Sequence, residues 1–167
     1  MLGRGLAVAA AIAALDYLSK AAVLEHFHET ECGRHQQALA SFLDLVLTCN
    51  AGVSFGLFNR TGVSSMVFSL AAALIIAVLV FWLSRVSTSF LAVAIGLIIG
   101  GAIGNVVDRL RFGAVVDFLY FHAGSWYWPA FNLADSAICL GVAAMLLDGM
   151  LLRRTPAQAK GRKDLSP

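Results

Sequence analysis

Four long apolar stretches constrain this chain more than any other feature. They cover residues 5–24, 64–83, 90–107 and 131–152, and each approaches the roughly 20 apolar residues that an α-helix needs to cross a bilayer. Only 13% of the 167 residues are charged, whereas a soluble domain carries roughly a quarter. Too little polar surface remains to solvate a globule of this size. We therefore predict an all-α integral membrane protein with four transmembrane helices.

The first stretch needs to be distinguished from a secretory signal peptide. Arg4 followed by the apolar run 6–15 has the required pattern of a charged end and a short hydrophobic core. The run does not end at a small-residue cleavage site, however, and continues through Asp16 and Lys20. These two residues lie four apart on one helix face, where opposite charges can pair. We expect a retained first span that turns this pair toward the bundle.

Basic residues predict which side of the membrane the ends face. Four crossings put both termini on one side, which then carries Arg4, Arg85 and the basic tail residues Arg153, Arg154, Lys160, Arg162 and Lys163. The opposite loops hold Arg34, Arg60, Arg109 and Arg111. Because basic residues accumulate on the cytoplasmic side, we predict cytoplasmic termini. Residues 1–155 are interpreted as one four-span domain, and residues 156–167 as a basic, disordered cytoplasmic tail.

Several classes of protein are excluded by what the sequence lacks. The net charge is only +2, so the basic patch of a nucleic-acid-binding protein is missing. Three cysteines are too few for a disulfide framework, although Cys32 and Cys49 could pair if their loop faces an oxidising compartment. The segment that begins at His28 lacks the second histidine of a zinc-protease motif. We predict no metal and no cofactor.

The two loops on the side opposite the termini differ in character. In the first loop, residues 25–62, the alternating segment 41–48 predicts one or two short strands above the membrane. The second loop, residues 108–130, contains seven aromatic residues, as is typical of a belt at the membrane interface.

Four aspartates cluster at the ends of the spans on this outer side, where a charged group is costly without compensation. Two of them have partners within a helical turn: Asp16 has Lys20, and Asp108 has Asn105 and Arg109. A structural polar cluster explains this pair. Gly96, Gly100 and Gly104 recur every four residues on the face that leads to Asp108. This stripe predicts close helix packing.

Asp117 and Asp135 are harder to explain by local structure. Asp117 lies in an extended, apolar segment with no neighbouring cation. Asp135 follows Asn132 in the pattern of a helix cap, which is compatible with either a structural or a catalytic role. Two carboxylates in a low-dielectric site share one proton, as an aspartic protease requires. The 18 residues between them allow the aromatic loop to fold back and bring the two together.

Two other mechanisms remain open from the residues alone. The segment from Gly52 to Gly56 matches the G-x-S-x-G pattern, with Ser54 as a candidate nucleophile of an intramembrane serine protease. All four histidines lie in loops, which weakens that alternative. A proton or cation transporter could also use buried aspartates, but the acids gather at one interface instead of crossing the membrane.

Five short segments together resemble the motif set of bacterial lipoprotein signal peptidases (signal peptidase II). In order, they are Asp16-Tyr-Leu-Ser-Lys20, Asn50-Ala-Gly52-Val-Ser-Phe-Gly56, Gly104-Asn105-Val-Val-Asp108-Arg109, Gly113-Ala-Val-Val-Asp117-Phe118 and Phe131-Asn132-Leu-Ala134-Asp135-Ser. Each is weak alone, but five in this order are specific. The one departure is Tyr17, where the family more often has a polar residue.

The resemblance implies an aspartic endopeptidase of the bacterial inner membrane. Such an enzyme removes signal peptides from prolipoproteins before a diacylglyceryl-modified cysteine, near the periplasmic face. Carried over to this sequence, the catalytic pair is Asp117 and Asp135. The positions that support the site or contact substrate are Asp16, Lys20, Asn50, Gly52, Gly104, Asn105, Asp108, Arg109, Asn132 and Ala134.

The family's fold adds a small β-rich cradle on the periplasmic face to the four helices. Asn50 and Asn132 are candidates to bind an extended substrate backbone, and Arg109 to hold an acceptor of the cradle or Asp108 itself. The expected partners are lipidated prolipoproteins and membrane lipid, and we expect a monomer without a cofactor.

Overall fold

A computed structural model describes residues 1–51 and 65–152 of the chain. The elements in order are α1 (Leu2–His26), β1 (His35–Ala40), β2 (Leu43–Asn50), α2 (Ser65–Leu83), α3 (Ser89–Phe112), β3 (Val115–Ala123), β4 (Trp126–Tyr127) and α4 (Leu133–Leu152). The predicted tail 156–167 lies outside the described residues. The same holds for the basic residues used to predict orientation at positions 60 and 153–163.

The four predicted spans are confirmed as helices that are long and apolar enough to cross a membrane. The third continues to Phe112, beyond the predicted end at residue 107. It stops where Gly113 adopts a left-handed φ of 72°, which a residue with a side chain rarely takes. Asp108 and Arg109 therefore lie in the last turn of α3 and not in a loop.

Helix α3 lies at the centre of the bundle. Within its apolar membrane-spanning stretch, 56% of the residues are buried, against 17–22% in the other three helices. The predicted glycine stripe explains the close approach to α1: a Cβ at Gly96 would meet the backbone of Gly5, and one at Gly100 the backbone of Ala9. On another face, Gly101 lies against the backbone of Ala134 in α4. The small residues thus let α1 and α4 contact α3 directly.

Both loops on the far side contribute to one antiparallel sheet in the order β1-β2-β3-β4. The alternating segment predicted as a strand is β2, and the extended segment around Asp117 is β3. In the register between them, Thr48 is the partner of Asp117, and Asn50 that of Val115. This small sheet next to four helices confirms the expected fold class.

The sheet packs on the end of α1 through a small apolar core. Its buried members are Val23, Leu24, Leu47, Val116 and Phe118. Cys32 lies beside this core and is disulfide-bonded to Cys49, with 5.8 Å between their Cα atoms. The pairing that the sequence left open is therefore formed. Cys139 on α4 is an exposed free thiol.

Aromatic side chains crowd the outer part of the sheet. Phe121 stacks between Phe42 and Phe131, and Trp126, Tyr127 and Trp128 are exposed around the β3–β4 turn. Exposed aromatic rings of this kind suit a membrane interface. The interfacial belt predicted for this loop stays a prediction.

Candidate active site

A buried lysine connects the first and third helices. Lys20 Nζ lies 2.7 Å from Asp16 Oδ2 and 2.7 Å from Asp108 Oδ2. It also donates to Asn105 Oδ1 at 3.3 Å. All three side chains that Lys20 contacts are buried, so each charge depends on the others for compensation. The predicted pair of Asp16 and Lys20 is thus part of a larger network.

Asp108 finds its partners further away than the sequence indicates. The sequence suggested Asn105 and Arg109, within one turn of the same helix. In the structure Asp108 Oδ2 accepts from Lys20 of α1 and from the backbone N–H of Val116, at 3.1 Å. Because Val116 precedes Asp117, this bond fixes the start of β3 relative to α3. Spacing along one helix could not show either contact.

Asp16 fixes the start of α4 in a similar way. Its Oδ1 accepts the backbone N–H of Ala134 at 2.9 Å, and this is one of the first-turn amides that a helix leaves without a partner. A Cβ at Gly104 would collide with Asp16 Oδ2. Gly104 therefore allows the close approach of Asp16, and Ala134 contributes its backbone N–H.

Asn132 joins the two aspartates that the sequence singled out. Its Nδ2 donates to Asp117 Oδ1 at 2.7 Å, and its Oδ1 accepts the backbone N–H of Asp135 at 2.9 Å. The second bond is the helix cap expected from the sequence. Asn132 is fully buried and also contacts Asn105 Oδ1 and the carbonyl of Val116, both at 3.2 Å.

Asp117 and Asp135 approach each other from different elements, β3 and the first turn of α4. Asn105 Nδ2 donates to Asp135 Oδ1 at 2.8 Å, and Asn50 Nδ2 donates to Asp117 Oδ2 at 3.3 Å. Asp117 is only 2% exposed. Burial, together with the nearby charge of Asp135, raises the pKa of Asp117 from its ordinary 3.8 to about 7.

Arg109 connects the site to α2. Its Nη1 donates to the carbonyl of Asn105 at 3.3 Å, and its guanidinium lies 5.9 Å from the centre of the Phe68 ring. Gly52 and the alternative nucleophile Ser54 lie outside the described residues. The other eleven predicted site residues contact one another in a single network.

Two features of this region escaped the sequence interpretation. The backbone amides of Val116 and Ala134 carry no side-chain signal, and only the fold brings them to Asp108 and Asp16. The disulfide next to Asn50 was visible only as a possibility. Within residues 1–51 and 65–152, no three His, Cys, Asp or Glu side chains are grouped so that they could hold a metal ion.

Comparisons with known proteins agree with the motif resemblance. A family model described as signal peptidase (SPase) II matches residues 8–151. The lipoprotein signal peptidase of Methylobacterium sp. (strain 4-46) is 40% identical over 164 residues, covering 98% of this chain and 95% of that protein. That of Azoarcus sp. (strain BH72) is 48% identical over 143 residues, covering 84% and 79%.

A solved structure shares the fold. It is described as a bacterial membrane enzyme structure obtained by the in meso method at 2.3 Å resolution. The TM-score is 0.73 at 25% sequence identity, and the alignment covers 98% of this chain and 95% of that one.

Proposed function

The chain belongs to the signal peptidase II family and is a membrane peptidase, and we propose that it removes signal peptides from prolipoproteins with an aspartic dyad. Asp117 and Asp135 form the dyad. The bond hydrolysed is the peptide bond before the diacylglyceryl-modified cysteine. The observation that carries this proposal is the bridge through Asn132, which contacts the side chain of one aspartate and the backbone of the other.

The different surroundings of the two aspartates support different protonation states. The raised pKa of Asp117, about 7, favours retention of the proton that the pair shares. Asp135 lies in the first turn of α4, where the helix dipole favours a negative charge. It also accepts a hydrogen bond from Asn105. Asp117 is therefore the acid in the resting enzyme and Asp135 the base.

Hydrolysis follows from these assignments. Asp135 takes a proton from a water molecule while the oxygen of that water attacks the carbon of the scissile carbonyl. Asp117 gives its proton to the carbonyl oxygen. The tetrahedral diol then collapses: the ionised Asp117 takes back a proton from a hydroxyl, and Asp135 gives its proton to the leaving amine. Each aspartate ends in its starting state, and one water is consumed per bond.

The buried network around the dyad serves to orient it. Lys20 forms ion pairs with Asp16 and Asp108. The Asp16 carboxylate accepts a hydrogen bond from the backbone N–H of Ala134, and the Asp108 carboxylate accepts one from the backbone N–H of Val116. The first turn of α4 and the start of β3 are thereby fixed relative to α1 and α3. We assign Asp16, Lys20, Asn105 and Asp108 to positioning of the dyad and not to proton transfer.

The arrangement of spans supports an orientation in the bacterial inner membrane. Both termini would face the cytoplasm, and the dyad would lie near the periplasmic face with the sheet. The Cys32–Cys49 disulfide is on that same side, as suits an oxidising compartment. The signal helix of the substrate would pack beside the bundle with its lipid chains in the bilayer, and Asn50 would bind its extended backbone. Asn132 was also a candidate for this contact, but its completely buried amide is hydrogen-bonded to the dyad, so we assign it to positioning.

The proposal is tested with purified protein and a precursor prepared with and without the diacylglyceryl group. We expect cleavage of the lipidated form only, with a product whose new amino terminus is the modified cysteine. Ser54→Ala should retain cleavage, and Asp117→Asn should abolish it. Loss of cleavage in Ser54→Ala with retention in Asp117→Asn would instead support a serine mechanism. A protein that leaves both precursors intact would contradict the proposal altogether.

A further inference from the structure

We propose that the Cys32–Cys49 disulfide is a positioning device for the dyad, holding the end of β2 so that Asn50 stays hydrogen-bonded to Asp117. The inference rests on the proposed function, because Asp117 matters here as a catalytic group. Cys49 directly precedes Asn50 in the chain, and its register partner on β3 is Val116, the neighbour of Asp117. One covalent bond therefore lies beside the contact between β2 and the dyad.

The disulfide supports β2 where its pairing with β1 has ended. The last pair of the β1–β2 ladder on this side is His35 with Leu47. Residues 48–50 extend past β1, and among the described strands β3 alone pairs with them. Cys32, in the connection before β1, packs against the apolar core at the end of α1. The bond between Cys32 and Cys49 thus ties the end of β2 to the α1–β1 connection, which packs on that core.

The hydrogen bond that this tie protects is a long one. Asn50 Nδ2 lies 3.3 Å from Asp117 Oδ2, whereas Asn132 Nδ2 lies 2.7 Å from Oδ1 of the same carboxylate. N–H···O bonds are usually about 2.7–3.2 Å long. A displacement of a few tenths of an ångström at the end of β2 is therefore enough to break the first bond while the second survives.

Loss of the Asn50 bond has a predictable direction. The charged groups that face Asp117 from other elements are Asp135 of α4, Lys20 of α1 and Arg109 of α3, and none of them is on β2. A hydrogen bond from Asn50 to the carboxylate favours its charged form and opposes the effect of burial on the pKa of Asp117. When β2 loosens, Asp117 keeps its proton to higher pH. The alkaline limb of the pH–activity profile should then shift to higher pH. Asn50→Ala should shift it in the same direction. If the disulfide only stabilised the fold, its loss would lower the melting temperature and leave the alkaline limb at its original pH.

The first test uses the folded enzyme, so that failure to fold cannot obscure the result. A dithiol reductant transfers two electrons and two protons to the Cys32–Cys49 bond, giving two protein thiols and one cyclic disulfide of the reductant. We expect kcat/KM on the lipidated precursor at neutral pH to fall by about tenfold. We also expect the midpoint of the alkaline limb to shift to higher pH by roughly 0.5–1 pH unit. Thiol titration before and after treatment should show two new thiols.

Variants provide matched controls. Cys32→Ser/Cys49→Ser should reproduce the profile of the reduced enzyme and be insensitive to the reductant. Cys139→Ser removes the exposed free thiol on α4 and should behave as wild type before and after reduction. Combining Cys32→Ser/Cys49→Ser with Asn50→Ala should shift the limb no further than Asn50→Ala alone, because both changes remove the same hydrogen bond.

Two outcomes would overturn the inference while leaving the proposed function intact. One is active enzyme whose thiol count shows that Cys32 and Cys49 are not bonded. The other is complete reduction with an unchanged alkaline limb, whatever happens to the melting temperature. If untreated wild-type enzyme cleaves no lipidated precursor, the proposed function fails instead.

Discussion

The side-chain amide of Asn132 lies 2.7 Å from Asp117 Oδ1, and both side chains are almost completely buried. The same side chain caps α4 by accepting the N–H of Asp135. A single asparagine therefore fixes both the orientation of one aspartate and the backbone that carries the other. This relationship ties the stability of a helix end to the geometry of the dyad.

Replacement of Asn132 by alanine should affect both stability and catalysis. The lost cap costs about 1 kcal/mol, and displacement of the dyad should lower kcat/KM by about 100-fold. Both are measured in detergent, by thermal unfolding and by cleavage of a lipidated precursor. Thr88→Ala is the matched control, because Thr88 caps α3 through Leu91 and has no contact with the dyad. Equal activities in the two variants would contradict the assigned role of Asn132.

Lys20→Met should be one of the most destabilising single substitutions in the bundle. It leaves Asp16 and Asp108 buried without their shared cation, and removing one partner of a buried ion pair costs about 3–5 kcal/mol. Adding Asp108→Asn removes one of the two stranded charges, so the double variant should unfold at a higher temperature than Lys20→Met alone. A double variant no more stable than the single one would show that charge is not the cause.

Gly104→Ala should disturb the network through contact alone. The added Cβ collides with Asp16 Oδ2, which Lys20 prevents from moving aside, so we expect a loss of about 1–3 kcal/mol together with reduced cleavage. Gly149 on α4 offers a control, because a Cβ there meets no atom within 4 Å. Gly149→Ala should be neutral or slightly stabilising. The comparison is made by thermal unfolding in the same detergent.

The high pKa of Asp117 predicts how stability depends on pH. Between 3.8, its ordinary pKa, and about 7, the carboxyl is ionised in the unfolded chain but protonated in the folded one. The unfolded state then binds fewer protons, so the contribution of Asp117 to stability decreases as pH rises through this window and is constant above it. The slope is about 1.4 kcal/mol per pH unit. Asp117→Asn should remove this slope in urea unfolding measured at several pH values.

Activity should follow the same titration. Because Asp117 must hold the shared proton to donate it, kcat/KM should fall as pH rises above about 7. This alkaline limb is measured with lipidated precursor at concentrations well below KM, where the rate reports kcat/KM. An activity that keeps rising well above that pH would contradict the assignment of Asp117 as the acid.

The sequence was sufficient to predict the four spans and to single out the two aspartates that we propose as the dyad. The spans could be predicted because crossing a bilayer requires a long apolar run, and Asp117 stood out because no cation lies beside it in the chain. Asp135 could be predicted together with its cap, because Asn132 and Asp135 are three residues apart and act within one helical turn. These signals are local, so they do not depend on how the helices pack.

The remaining contacts depend on packing and could not be predicted. Lys20 reaches Asp108 only because the small residues of α3 let α1 approach closely. Strand β1 has no alternating pattern in its exposed segment His35–Ala40 and forms by pairing with β2. The Cys32–Cys49 bond forms because the α1–β1 connection passes next to the end of β2, and the sequence does not show this path. Each of these is set by tertiary structure and not by spacing along the chain.

The most direct test of the account is the cleavage rate of a lipidated precursor by three isosteric variants, Asp117→Asn, Asp135→Asn and Asp44→Asn. Asp44 is also a buried aspartate of the sheet region, but its partners are Gln36 and His122 and not the dyad. With all three variants shown to be folded by thermal unfolding, we predict that Asp44→Asn cleaves at close to the wild-type rate. The other two should lose at least 1,000-fold, roughly 4 kcal/mol of transition-state stabilisation. Cleavage within tenfold of wild type by either Asp117→Asn or Asp135→Asn would contradict the aspartic dyad.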